Sequence, residues 1–226
     1  MKKTFSLAFV LLGILFNVCL IVSNILEVKL IALGPVMATA GLMVFPISYI
    51  LNDCIAEVWG YRKARLVIWT GFAMNFLTVG FIQFAGLLPP APGWENQEAF
   101  VRVFDSTPRI AIASFTAFLV GSFLNAYVMS RMKIRSKGRH FSLRAIASTV
   151  VGELADSIIF FPIAFAGTVP FDALLVLIAT QAGMKTAYEV VALPVTIRVV
   201  KYIKRVDQSD VYDEQVSYNP LKLKQL

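Results

Sequence analysis

The stretch 146-IASTVVGELADSIIFFPIAFAG-167 decides how the rest of the chain is read. It is apolar and long enough to cross a bilayer, which takes about 20 helical residues. Yet Glu153 and Asp156 sit near its middle. Three apart on a helix, the two carboxylates project from one face, with Ser157 and Phe160 beside them. A carboxylate at bilayer depth is costly, so it faces a cavity, a partner or a substrate.

Working outward, the composition sets the class. Of the 226 residues, 58% are hydrophobic and 15% charged, and the mean hydropathy is +0.71. A soluble domain of this length cannot hide that much apolar surface, so the chain reads as an integral membrane protein. The net charge of +7 is spread over loops and not gathered on a soluble module, which argues against nucleic acid as a partner. Cys19 and Cys54 lie in apolar runs with no CxxC neighbour, and His140 is the one histidine. They read as buried small hydrophobes and a loop residue, so no metal site and no cofactor are expected.

Hydropathy predicts an all-α bundle of six transmembrane helices, at about 5–23, 36–58, 64–87, 108–130, 146–167 and 171–198. The start imitates a signal peptide, but its apolar run is long and no A-x-A site follows, so it reads as a retained first span. Lys2, Lys3, Arg62, Lys63, Arg65, the loop 131-RMKIRSKGRHFSLR-144 and the tail fall on one side; Lys29, Arg102 and Arg109 fall on the other. The positive-inside rule then predicts N-in and C-in. The basic loop reads as a topology anchor touching anionic lipid. Residues 1–204 form the predicted transmembrane domain, and residues 205–226 a cytoplasmic tail expected to be disordered. In the long outer loop, residues 88–107, Phe100, Val103 and Phe104 share a helical face with Trp94 upstream, which predicts a short interfacial helix.

Small residues recur every fourth position, at Ala113, Ala117 and Gly121 in line with Asn125, and at Ala179, Gly183 and Ala187. Such stripes let helix backbones approach and predict a compact bundle, with a homo-oligomer left open.

Polar residues mark the candidate site. Span six carries Gln181, Lys185 and Glu189 on one face, opposite its small-residue stripe. One lysine then serves three acids, so the interior is acidic and needs a cation, a proton or a hydrogen-bond-donating ligand to complete it. In 52-NDCIAEVWGYRKAR-65, Asp53 and Glu57 share a face near the inner end of span two. They read as a pair neutralised by Arg62, Lys63 and Arg65, or as a gating or coupling element. Asn75, Gln83 and Asn125 read as amides that bridge helices. Paired carboxylates also serve glycosidases and proteases, but no signature of either occurs, so an intramembrane enzyme is the weaker reading. A small-molecule solute fits better. An amidine-like edge such as guanine's is matched by one carboxylate accepting two hydrogen bonds, and Phe160 and Phe161 offer faces for a flat ring.

The stretches 23-SNILEVKL-30, 46-PISYILNDCIAEVWGYRKAR-65, 121-GSFLNAYVMSRMK-133, 144-RAIASTVVGELADSIIFFPIAFAG-167 and 185-KTAYEVVALP-194 resemble the queuosine precursor transporter family of vitamin uptake transporters. The resemblance runs over nearly all of residues 5–200 in the family's order. It implies a multi-pass protein of the bacterial inner membrane, not an enzyme, that imports 7-deazaguanines (preQ0 or preQ1) or queuine for tRNA modification. It also implies a solute site lined by Glu153, Asp156, Lys185 and Glu189, with Asn24, Lys29, Asp53 and Asn125 as weaker members. The family is similar to the binding components of ATP-driven energy-coupling-factor transporters, which is the alternative function. Span one, 7-LAFVLLGILF-16, lacks the A-x-x-x-A patch by which many of those dock, so an ATPase module is not expected. Binding is expected among spans one, five and six, entered from outside, with inner-side opening near Asp53 and Glu57.

Overall fold

The computed structural model describes residues 6–26, 29–33, 36–104, 108–167 and 170–222. Lys2 and Lys3, the Arg109 side chain and residues 223–226 of the expected tail lie outside the described parts. Seven α-helices are described: α1 Leu7–Leu26, α2 Phe45–Trp59, α3 Tyr61–Leu87, α4 Gln97–Phe104, α5 Pro108–Ser136, α6 Phe141–Phe165 and α7 Phe171–Asp207. Six described stretches are long and apolar enough to span a membrane, namely α1, α3, α5, α6, α7 and α2 taken together with the turn before it from Ala40, which bears out the six expected spans. The short α4 stands in the loop where a short helix was expected. Trp94 and Phe100 meet edge to face at 6.2 Å and Phe100 and Phe104 lie at 5.0 Å. Gln83 of α3 donates to the Phe104 carbonyl across that helix at 2.9 Å.

One departure from an all-helical chain lies before α2. The expected second span began at 36, but Val36–Thr39 (β2) pairs antiparallel with Leu30–Leu33 (β1), and a 3-10 turn over Ala40–Met43 leads into α2. Hydropathy cannot separate a short β-branched or apolar strand from the first turn of a helix. Pro46, in the first turn of α2, needs no intrahelical N–H partner there and so suits the start.

α2 is the axis of the bundle. It touches α1, α3, α5, α6 and α7, and 12 of its 15 residues are buried. Apolar side chains such as Leu51, Ile55 and Val58 pack it against the neighbours, while Tyr49, Asn52, Asp53 and Glu57 are carried inward with them. α6 is inside out by the standard of a soluble helix. Arg144, Ser148, Thr149, Gly152, Glu153, Asp156 and Ser157 form its buried stripe, and Val150, Val151, Leu154 and Ile158 face outward. In lipid the apolar face has no cost outside, and polar groups gain by turning in.

The closest approach is between α5 and α6. A Cβ on Gly152 would sit 3.0 Å from the Gly121 carbonyl oxygen and 2.8 Å from the Tyr49 ring, so neither glycine position has room for a side chain. The expected stripe of α5 therefore works as read, with Ala113 and Ala117 buried above Gly121. The α7 stripe does not. Ala179, Gly183 and Ala187 are exposed, and a methyl on Gly183 would meet nothing within 4 Å. Its helix instead turns the opposite, charged face to the bundle.

The tail expected to be disordered packs against the bundle in its described part. Val211 N–H donates to the Val58 carbonyl, Trp69 to the Pro220 carbonyl and Arg65 to the Ser217 and Asn219 carbonyls. Asp213, 4% exposed, accepts from the Tyr61 N–H at 2.7 Å and from Ser130. It fills the space beside Gly60, where φ is 82° and a Cβ would come within 2.6 Å of the Asp213 carboxylate. The composition of the tail is polar, but its polar groups find unsatisfied backbone at helix ends, and this strap holds the α2–α3 corner to α5.

Candidate functional site

The buried polar residues form a column along α2, α6 and α7. At its upper part, toward the β1–β2 hairpin, Lys185 of α7 reaches Glu153 at 2.9 Å and Asp156 at 3.1 Å on α6. Its ammonium also sits 4.1 Å from the centre of the Phe45 ring, a cation–π contact made strong by the dry surroundings. Phe45 in turn packs on Tyr49, ring centres 5.6 Å apart. The Tyr49 hydroxyl and Glu153 Oε1 are buried and have no hydrogen-bond partner among the described residues.

One turn further, Asp53 of α2 accepts the Ser148 hydroxyl on both oxygens, at 3.0 and 3.1 Å. Glu189 of α7 lies beside Asp53 and Thr149, yet among the described residues neither of its oxygens has a partner in hydrogen-bond geometry. Asn52 donates to Asn125 of α5 at 2.6 Å and to the Ser122 carbonyl at 3.1 Å. The Asn125 amide nitrogen and the Thr149 and Ser157 hydroxyls have no hydrogen-bond partner among the described residues. Buried polar groups in proteins are nearly always paired. The concentration of such orphans on α2, α5, α6 and α7 marks this column as the candidate site.

The last layer is different in kind. Glu57 takes the Arg144 guanidinium on both oxygens, with Lys204 at 2.6 Å and Lys133 nearby. Arg144 also donates to the Gly138 and Arg139 carbonyls of the α5–α6 turn. Lys133 and Lys204 share Asp210 of the tail. Partial burial opposes ionisation of Asp210, but hydrogen bonds from the two ammonium groups outweigh it and hold its carboxyl below the usual range.

A family model described as "Putative vitamin uptake transporter" matches residues 39–199, which contain the upper and middle layers in full. This chain belongs to that family. A "Probable queuosine precursor transporter" of Bacillus subtilis (strain 168) is 32% identical over 189 residues, 83% of this chain and 82% of the relative. The "Queuosine precursor transporter" of Escherichia coli (strain K12) is 28% identical over 152 residues, 67% of this chain and 66% of its own length. No solved structure matches.

In this vitamin uptake transporter relative, the residues expected from sequence divide. Glu153, Asp156 and Lys185 come together directly, and Asp53, Glu189 and Asn125 lie one turn along the same column. Asn24 instead accepts the Ser114 hydroxyl at 3.0 Å, and Lys29 is exposed beside the hairpin. Gln181 is half-buried, and Phe160 packs in a trio with Phe161 and Phe165. Asp53 and Glu57 part company: Glu57 draws its cations from α5, α6 and α7, and Arg65, expected to neutralise it, is bound to tail carbonyls. The third wall is α2, where α1 was expected. Tyr49 and Phe45 had a signal, the 45–49–53 spacing that places all three on one face of α2, but buried aromatics on an apolar helix read first as core. Two apolar grooves of about 500 Å³ lie outside this column, one between α1 and α3 and one between α3, α5 and the tail.

Proposed function

We propose that this protein imports a queuosine precursor, a 7-deazaguanine such as preQ0 or preQ1, or queuine, and that the solute binds at the upper layer of the column. The observation that carries this reading is the pair of orphans there: Glu153 Oε1, an acceptor, and the Tyr49 hydroxyl, a donor, both buried on facing helices. A guanine-like edge supplies what they lack. Its ring N–H and amino group donate to a carboxylate, and its carbonyl oxygen accepts from a phenol. Phe45, held by Lys185, offers the flat face beside them. The names of the relatives support the same solute class.

The exposed cations Arg131, Arg135, Lys137, Arg139, Lys201 and Arg205 gather at one end of the bundle. That supports a cytoplasmic location for this end, in the inner membrane, with the hairpin and α4 outside. The protein acts without an ATPase, so its uptake persists when energy-coupling-factor ATPases are deleted.

The test is a strain that cannot synthesise queuosine, carrying this gene and given each precursor in turn. Queuosine appearing in tRNA is the expected result, and failure with all three compounds refutes the function. Glu153→Gln keeps the shape but removes the charged acceptor; it abolishes uptake at unchanged membrane expression. Normal uptake of labelled preQ1 by that variant would sink the site.

A further inference from the structure

The middle layer poses a charge problem that the solute reading does not solve. Asp53 and Glu189 lie side by side, each at most 1% exposed. Lys185 is engaged by Glu153, Asp156 and the Phe45 ring, and no cation stands within 4 Å of either carboxylate among the described residues. The cations that serve Glu57 are one helical turn further, about 6 Å along α2. The groups facing the pair from each element are neutral or acidic: Tyr49 and Cys54 on α2, the latter also near Glu57, Asn125 on α5, and Ser148, Thr149 and Glu153 on α6. On α7 the nearest charge is Lys185, already shared. Ser148 donates to Asp53, but among the described residues no donor meets hydrogen-bond geometry at either Glu189 oxygen, with the buried Thr149 hydroxyl beside it.

Two adjacent carboxylates without a counter-ion, away from water, do not both stay charged. We infer that Asp53 and Glu189 hold one proton between them, and that this shared proton is the ion coupled to solute import. The inference rests on the transport reading above and adds its driving ion. A carboxylic acid on one partner donates to the carboxylate of the other, which supplies Glu189 with the hydrogen bond it lacks. The pair lies between the solute layer and the neutralised layer of Glu57, on α2 and α7, the helices that also line the solute layer. Solute at Glu153 and a proton on the pair therefore belong to one moving unit. The proton is picked up with the solute on the hairpin side and released to the other side, after which the empty pair reloads before the next cycle.

The experiment uses the full-length protein. Infrared difference spectra of the protein in lipid, taken across a pH titration, are expected to show a protonated-carboxyl band that is lost in both Asp53→Asn and Glu189→Gln. No such band in the wild type overturns the shared proton, whatever the solute. In proteoliposomes loaded for uptake of labelled preQ1, an outside-acid gradient is expected to raise uptake several-fold over equal pH, with a lumenal dye reporting acidification. That ratio falls to one in Glu189→Gln. Uptake that is indifferent to the gradient, or driven by a sodium gradient in its place, overturns the coupling. A wild type that shows the band but binds none of the three precursors overturns the transport reading and the coupling with it, leaving the shared proton.

Discussion

Asp53 and Glu57 are neighbours on one helix, one turn apart, and they live in opposite electrostatic conditions. Around Glu57 the structure gathers three cations, Arg144, Lys133 and Lys204, for two acids, Glu57 and Asp210. Around Asp53, Glu153, Asp156 and Glu189 there is, among the described residues, a single cation, Lys185, for four acids. The first layer is complete and joins α2, α5, α6, α7 and the tail. The second is incomplete and faces orphaned hydroxyls and amides. A buried charge cluster that is saturated holds a structure together; the unsaturated one is the layer proposed above to bind.

Perturbing the two layers should separate them, and the largest effect belongs to the saturated one. Arg144→Met removes the bidentate partner of Glu57 and leaves two turn carbonyls uncovered. The expected loss is about 3–5 kcal/mol, read as a lower unfolding midpoint in lipid or detergent, and an unchanged midpoint would break the comparison. Gly152→Ala forces the α5–α6 contact apart where a Cβ would come within 2.8 Å of Tyr49. About 1–3 kcal/mol of stability is at stake, and solute uptake should fall further than stability, since Tyr49 is pushed from its place. Asp210 has a side chain 46% exposed, so its neutralisation by Asp210→Asn costs under about 1 kcal/mol after solvent screening. Its carboxyl titrates below the ordinary range when folded. The contribution is therefore fully present above the ordinary carboxylate range and is lost as pH falls through the folded value. A wild-type-minus-variant difference in midpoint that persists at the acid end of the titration would contradict this. Last, Glu153→Gln in the unsaturated layer should lower the unfolding midpoint less than Arg144→Met does, because Lys185 keeps Asp156, while uptake is lost; a loss of stability as large as that of Arg144→Met would mean that the two layers do the same work.

What the sequence made legible follows from the range of each interaction. The six spans and the short α4 are local patterns of hydropathy and helical period, and they stand. The spacing of Glu153 and Asp156, and of Lys185 and Glu189, placed those residues on inward faces because a helix fixes its own faces. Partner choice is another matter. Glu57 is joined to Arg144 across 87 positions and to Lys204 across 147, whereas Arg62, Lys63 and Arg65 are close in sequence and suggested a local neutralisation. The β1–β2 hairpin was hidden because Val36–Thr39 is as apolar as a helix start. The tail was hidden because its polar residues carry no periodicity, only backbone and side-chain groups that match gaps at helix ends.

That tail changes where the protein can be cut or joined. A fluorescent reporter or purification tag placed after residue 204, where composition alone ends the transmembrane domain, would remove Asp210 and Asp213 together with the carbonyls that bind Arg65 and Trp69. Fusion beyond residue 222 keeps them all. Fusions made at the two positions would thus report on different proteins, one of them with an uncovered α2–α3 corner, even though both keep nearly all of every membrane span.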